Sequence, residues 1–438
     1  MSKPKTRYII IFGLIVFLQI ISLMSSSHTF PQTGIDQIDK SDTAWMIVAT
    51  AFVLFMTPGL SFFYGGMVSY KNVISTMLQS FIALGVISLL WYLVGFSLAF
   101  GDSYYGLIGN PATFFSFNNV GLAPNENFSA TIPFLIFALF QLKFAIITPA
   151  LITGSFAERV KFTSYLIFMC LFALFIYTPL AHWTWHPDGF LRKWGVLDFA
   201  GGTVVHMSAG FAALAGAYVL GKREVKIHQP ANIPFIILGT GMLWFGWFGF
   251  NAGSALAADG LAVQAFATTN MASASAMITW VMFDALVGRK ISAMGACIGA
   301  VVGLVAITPA AGFVTIGQSV FIGFAAAIVS NLAVYYKQRT SLDDTLDVFP
   351  CHGVGGIVGM ILTGVFAKDV GLIYGETTTF LYHLLAMVIV GVFTFFGSLL
   401  IFRITSWITK LRVTKEEENI GLDISQHAET LSVVPSNN

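Results

Sequence analysis

The sequence predicts an all-α polytopic membrane protein. Eleven transmembrane helices are expected as a 5+5 inverted repeat, preceded by a signal peptide or an extra N-terminal helix. Three observations carry that expectation. The 438-residue chain is 56% hydrophobic and only 10% charged, against roughly 25% charged in soluble domains. Apolar runs recur at lengths of about 20 residues, enough for a helix to cross the hydrocarbon. Basic residues in the intervening loops fall mostly on alternate loops, as the positive-inside rule requires. Period-2 alternation, the mark of a membrane barrel, is absent. A net charge of +1 and the lack of a basic patch give no sign of nucleic-acid binding. Cys170, Cys297 and Cys351 lie in apolar segments without C-x-x-C spacing, so neither a disulfide framework nor a zinc site is indicated.

Residues 1–30 begin with Lys3, Lys5 and Arg7, continue as an apolar run from Tyr8 to Met24 and end in Ser25-Ser26-Ser27. That is the layout of a signal peptide. The run is long for one and has no A-x-A site, so an uncleaved helix is the alternative. Either reading places the polar linker 31–42 outside. Spans are expected near 44–69, 73–100, 131–155, 162–181, 199–220, 232–254, 262–287, 292–308, 312–336, 348–367 and 379–409. One set of loops holds thirteen basic residues: Lys71; Arg159 and Lys161; Lys222, Arg223 and Lys226; Arg289 and Lys290; Lys337 and Arg339; Lys410, Arg412 and Lys415. The other holds three, Arg192, Lys193 and Lys368. By the positive-inside rule the core starts outside, and the 410–438 tail is cytoplasmic. The transmembrane domain is then 31–409, in a cell (plasma or inner) membrane.

Ile147-Thr148-Pro149-Ala150 in span three recurs as Ile307-Thr308-Pro309-Ala310 in span eight, and histidines fall in spans five and ten. A repeat unit with an odd number of spans must be inverted in the membrane. His206 lies eight residues into span five, about 12 Å at 1.5 Å per residue, close to the midplane. His352 lies only a few residues inside span ten, behind Pro350, which suits a first helical turn, and a broken or tilted entry would carry it deeper. Titratable groups at bilayer depth are functional candidates by default. The alternative is that each ring bonds a neighbouring carbonyl and pins helices together. Burial disfavours the imidazolium, and two neutral imidazoles can bond each other while presenting a lone pair or N–H to a small solute. Such a site suits a solute that exchanges protons better than an alkali ion, which needs rings of oxygen.

Trp247, Phe250, Asn251 and Ser254 share one face of span six, and Phe140 and Phe144 are spaced i, i+4 in span three. Trp185 stands at the outer end of span four. Together, Trp185, Phe140 and Ser254 could hold a small cation through ring quadrupoles and a hydroxyl, with Phe144 and Phe250 closing the path beneath. Ordinary packing is the alternative in a chain with 42 phenylalanines. Asp198 and Asp347 sit at helix starts, where capping is the plain reading. Asp198 could in addition favour a cation in the vestibule.

These stretches resemble the ammonium transporter (Amt/Rh) family, on its Amt side. The resemblance rests on DTAWMIVATAFVLFMTPGLSFFYGGMV (42–68), FQLKFAIITPALITGSFAERVKF (140–162), LDFAGGTVVHMSAG (197–210), GWFGFNAGS (246–254), GACIGAVVGLVAITPAAG (295–312), DVFPCHGVGGIVG (347–359) and GLDIS (421–425). It implies a homotrimer with a narrow hydrophobic pore in each subunit. Phe140, Phe144, Trp185 and Ser254 would form the outer recruitment site, Phe144 and Phe250 the gate, and His206 and His352 the pore pair. Asp198 would be the structural and vestibule carboxylate. The substrate would be ammonium or ammonia, with methylammonium as an analogue; no cofactor or metal is implied, and no enzymatic activity. A P-II type regulatory protein could dock at the cytoplasmic face. The sequence departs from the family in HWTWHPDGF, with His186-Pro187 where glycines are usual, and in QHAET, where a histidine-glycine-glutamate run is usual. Two other classes compete: an ammonium sensor acting through a cytoplasmic partner, and a bis-histidine haem protein, which an absorption spectrum would reveal.

Overall fold

Helices begin where a side chain can satisfy the unpaired N–H groups of a first turn. Asp39 accepts from Asp42 N, Asn232 from Phe235 N, Asp259 from Ala262 N and Ser292 from Gly295 N. Thr315 and Gln318 form a reciprocal capping box. The structure is a computed structural model and describes residues 35–224 and 229–431, with positions 13, 16, 17, 20 and 21. Apart from those isolated positions, the expected signal sequence over 1–30 lies outside the described residues.

Among the described residues, nine helices are long and apolar enough to cross a membrane. They are α1 (Lys40–Met67), α2 (Tyr70–Phe100), α3 (Phe134–Ser155), α4 (Phe162–Lys193), α5 (Gly202–Leu220), α6 (Ile233–Ala255), α9 (Ile316–Lys337), α10 (Phe349–Phe366) and α11 (Thr378–Ile408). Two further helices, α7 (Gly260–Leu286) and α8 (Ala293–Ile307), stand at the seventh and eighth expected spans. α7 is long enough, but its Thr268, Thr269, Asn270, Ser273 and Ser275 lower its hydropathy. α8 is apolar but only 15 residues long, about 22 Å against roughly 30 Å of hydrocarbon. α1 lies along α6, and α7 packs against α8 and α9. A short hairpin pairs Ser103–Tyr104 with Ile108–Gly109 in the loop after α2.

α5 and α10 both open in π-helical winding, over Gly202–Met207 and Phe349–Val354. Such turns recur at functional positions. Both helices start inside the bundle on a buried aspartate. Asp198 Oδ1 accepts from Gly201 N and Gly202 N, and Oδ2 accepts from Thr203 N and Thr203 Oγ1. Gly201 makes this loop possible, because its φ of 121° is open to glycine and strained for other residues. Asp344 accepts from Val348 N and Phe349 N, and burial pushes its carboxyl up to about 6. This corrects the expected cap: Asp347 instead pairs with Lys337 Nζ at 2.5 Å. α5 and α10 cross at Gly210 and Gly353, where a Cβ on Gly210 would fall onto the backbone of Gly353.

At the end of the bundle opposite Asp198, buried charges tie the loops together. Arg223 pairs with Glu158 at 2.7 Å and with Asp343 at 2.9 Å. The tail docks beside them through α12 (Lys415–Ile420), which carries its own Thr414–Glu417 capping box. Asp423 accepts from Ile74 N and Ser75 N, and Leu422 N donates to Asn72 Oδ1. Burial opposes ionisation of Asp343, but the hydrogen bonds and charge of Arg223 outweigh it and hold the carboxyl at about 2, against an ordinary 3.8. A depressed carboxyl stabilises the fold above its unfolded pKa and loses that stabilisation as pH falls toward the folded value. Arg223→Met should therefore destabilise the detergent-solubilised protein by about 3–5 kcal/mol near neutral pH. The wild-type advantage in thermal midpoint should shrink as pH is lowered from about 4 toward 2.

Candidate functional site

The glycine crossing brings the two histidines into contact. His206 is 1% exposed and His352 3%. Their rings lie 5.4 Å apart, and Nδ1 meets Nδ1 at 3.3 Å. Of the two expected placements of His352, the deeper one is found, because α10 starts inside the bundle on Asp344.

The surrounding bonds determine where the protons sit. Thr308 Oγ1 donates to Leu304 O at 2.8 Å, which uses its only hydrogen. Trp247 Nε1, which can only donate, gives its proton to Thr308 Oγ1 at 2.9 Å. The remaining lone pair of Thr308 faces His206 Nε2 at 3.3 Å, so Nε2 carries the proton. In a neutral His206 ring Nδ1 is then bare and accepts from His352 Nδ1–H. This leaves His352 Nε2 as a lone pair. Trp247 also stacks on His206 at 5.3 Å, and Phe250 lies 6.0 Å from it.

On the Asp198 side of the pair, Phe144 and Phe250 are in contact, with ring centroids 4.2 Å apart. Trp185 stands edge-on to Phe144 at 5.7 Å. Phe144 and Trp185 line a cavity of about 400 Å³ together with Gln141, Thr184, Asp198 and Ser254, and Phe250 lies outside its lining. Trp185 Nε1 donates to Asp198 O at 3.1 Å, and Ser254 Oγ donates to Phe250 O at 2.9 Å. Phe140 does not line this cavity. It packs behind Phe144 at 4.9 Å, in the space that Gly253 leaves free of a Cβ. Of the four expected recruitment residues, Phe144, Trp185 and Ser254 share the cavity wall and Phe140 supports it. All four bonds to the Asp198 carboxylate come from the start of α5, which is the capping geometry.

A histidine inside an apolar span is not by itself a site. His182 and His383 meet the same criterion. His182 bonds Ala99 O and Ser103 Oγ. His383 Nδ1 donates to Met360 O at 2.9 Å, and its Nε2 accepts from Leu197 N at 2.9 Å. His383 thus ties α11 to the turn that delivers Asp198. Sequence reasoning missed His383, Asp344 and the role of Thr308. Two of them carried a signal, Thr308 as part of the repeated Ile-Thr-Pro-Ala and His383 as a histidine in an apolar span.

A family model described as the Ammonium Transporter Family matches residues 44–431. The chain is 45% identical over 403 residues to a putative ammonium transporter of Methanothermobacter thermautotrophicus, covering 90% of this chain and 98% of the relative. Its fold is similar to the crystal structure of Saccharomyces cerevisiae Mep2, with TM-score 0.84, 35% identity and coverage of 92% of this chain and 93% of that one. It is also similar to a solved sensor Amt protein, with TM-score 0.82, 32% identity and coverage of 90% and 99%.

The His383 bonds make a stability prediction. His383→Leu should lower stability by about 1–3 kcal/mol, chiefly by leaving the part-buried Leu197 N–H without its acceptor. His383→Gln, with one donor and one acceptor in reach, should recover part of that loss. Thermal unfolding of the two variants in detergent checks the order.

Proposed function

The chain belongs to the ammonium transporter family and transports ammonium or ammonia across a membrane, and from that premise we propose that it passes ammonia through a pore at His206 and His352. The observation that carries the reading is the pair itself: two buried imidazoles bonded Nδ1 to Nδ1 at 3.3 Å, directly behind two phenylalanine rings in contact.

The mechanism starts from a difference between cations. Ammonium and potassium are alike in size and charge, so a rigid cation site separates them poorly. Only ammonium can lose a proton and continue as a neutral molecule. A charge at the bilayer centre costs at least about 2.5–3.5 kcal/mol, even on the lower insertion scales. Ammonium is recruited at the Trp185 ring and the Ser254 hydroxyl, where ring quadrupole and lone pairs replace water. Phe140 stiffens this wall and Asp198 holds it in place. An N–H bond of ammonium breaks with its electron pair kept on nitrogen, the proton passes to water in the vestibule, and Phe144 and Phe250 part to admit ammonia. His352 Nε2 accepts an N–H from ammonia, while the His206 Nε2–H is held by Thr308. The same bonded line, from His352 Nε2 through the two Nδ1 atoms to His206 Nε2, is the arrangement a proton relay needs.

Eleven helices in a 5+5 inverted repeat, with residues 31–409 as transporter domain, account for the paired π-wound starts of α5 and α10. The distribution of basic loops puts the Asp198 end outside and the 410–438 tail in the cytoplasm. A homotrimer, and a P-II type partner on the tail side, complete the proposed assembly. The likeness to a solved sensor Amt protein favours a second reading, sensing through a cytoplasmic partner. A transport-null variant that still relays nitrogen status would support it.

Methylammonium uptake into vesicles tests the pore. His206→Ala and His352→Ala should each cut uptake at least tenfold. Undiminished uptake in both, still indifferent to potassium, would contradict the mechanism. Thr308→Val should slow uptake roughly three- to tenfold, the worth of one hydrogen bond that holds the tautomer.

A further inference from the structure

α5 and α11 meet at a glycine. A Cβ on Gly391 would lie 2.9 Å from the Phe211 ring, so the two helices pack closely there. Around that contact lies an open groove of about 550 Å³, within the range of small-ligand sites, about 300–1,000 Å³. Phe211 and Leu214 of α5, Ile357 of α10 and Val388, Val392 and Phe396 of α11 line it, and every lining side chain is apolar. Phe211 lies five residues beyond His206 on α5, about 7 Å further along. The groove therefore sits between the level of the histidine pair and the tail end of the bundle. Val388, Val392 and Phe396 are exposed on the outside of the bundle.

Apolar surface alone does not name an occupant, because any lipid tail covers it. The polar end of the groove does. Arg403 is the only Lys, Arg, Asp or Glu in the 31 residues of α11. It follows Phe396 by seven residues, which is two turns on the same face and about 10 Å nearer the tail. Its neighbour Phe402 meets α5 at Gly216, where a Cβ would lie 3.1 Å from the Phe402 ring. Arg403 is therefore close to the level of Tyr218, which continues the Phe211–Leu214 face of α5 one turn on and is 71% exposed. Trp407, one turn past Arg403, is 70% exposed, and its ring lies 6.0 Å from the guanidinium. Lys222 is exposed just past the end of α5. The Arg403 guanidinium has no carboxylate partner among the described residues. At 31 residues, α11 is about 46 Å long and outruns roughly 30 Å of hydrocarbon, which leaves this end in the headgroup layer. Tyrosine and tryptophan collect at that boundary, and arginine reaches it along its flexible stem.

We propose that the groove between α5 and α11 holds one anionic phospholipid of the cytoplasmic leaflet. Its phosphate rests on Arg403 and Tyr218, and one acyl chain runs along Phe211, Leu214, Val392 and Phe396. Basic pockets between helices on the cytoplasmic side suit anionic headgroups. A guanidinium with free donors pairs with phosphate oxygens in a fixed fork. A choline headgroup also carries a phosphate, but its own cation cancels the net charge that Arg403 and Lys222 attract. The choice of leaflet rests on the orientation proposed above.

The test titrates full-length, delipidated protein in detergent with phosphatidylglycerol or phosphatidylcholine of the same acyl chains and reads the thermal midpoint. Wild type should gain stability from both, with half of the rise reached at a roughly fivefold lower concentration of phosphatidylglycerol. Arg403→Gln should raise that half-point for phosphatidylglycerol roughly fivefold, the worth of one basic residue at an anionic surface, and leave the phosphatidylcholine half-point near wild type. Val392→Trp fills the groove from an exposed position and should blunt the response to both lipids. Arg339→Gln, at an exposed site just past α9, should behave as wild type. All three altered side chains are exposed, so the variants keep the fold. Equal half-points for the two lipids in wild type, an unshifted Arg403→Gln, a fully responsive Val392→Trp or an equal shift in Arg339→Gln would overturn the site. So would a change in the oligomeric mass of Val392→Trp, which would put a second copy of the chain in the groove. Micelles have no leaflets, so this outcome is independent of the orientation, which protease cleavage of the tail in sealed vesicles decides separately.

Discussion

Two imidazoles buried out of reach of water must find partners for all four ring nitrogens, and much of the structure follows from that requirement. Direct Nδ1–Nδ1 contact at 3.3 Å satisfies two of them. It is reached only because α5 and α10 touch backbone to backbone at Gly210 and Gly353. It also requires both helices to begin inside the bundle, where unpaired N–H groups would otherwise be stranded. Asp198 and Asp344 supply those first turns with acceptors. A third helix end brings Thr308 to His206 Nε2, and Trp247 and Leu304 O fix the direction of that bond. The fourth nitrogen, His352 Nε2, is the one this network leaves for a solute.

How far the sequence could foretell this depends on the range of each interaction. Composition and run length pointed to a polytopic helical protein, because bilayer thickness is a one-dimensional constraint that a chain records directly. The two histidines stood out for the same reason. That the two rings can bond each other was legible as well; how His352 reaches the depth of His206 was not, because that depends on Asp344, while Asp347 was the aspartate read as a helix start. At α8 the expected 292–308 and the observed Ala293–Ile307 nearly coincide, because Ser292 as N-cap and Pro309 beyond the end mark both limits locally. The phenylalanine stripes gave the right helical faces, yet period alone could not say that Phe140 packs behind Phe144 and leaves the cavity wall to Gln141. His383 was passed over although it met the criterion that singled out His206, and its two bonds are to distant backbone that no local pattern encodes.

On this account selectivity is divided between two regions of different chemistry. The vestibule offers aromatic faces and the Ser254 hydroxyl, which hold a cation without forcing it to be ammonium. The Phe144–Phe250 contact and the imidazole pair beyond it favour a neutral molecule. Potassium can share the first region and has no form in which to enter the second. The charged network of Glu158, Arg223 and Asp343 stands at the other end of the bundle with the docked tail. It joins loops, and it is separate from the residues that meet the substrate.

The central claim is that both imidazoles are neutral and share one proton arrangement. Solid-state nitrogen NMR of histidine-labelled protein in bilayers at neutral pH tests it most directly. The account predicts His206 protonated at Nε2 only, His352 protonated at Nδ1 only, and a coupling across the Nδ1–H···Nδ1 bond. A doubly protonated ring at either position, or two rings with no coupling between them, would contradict it.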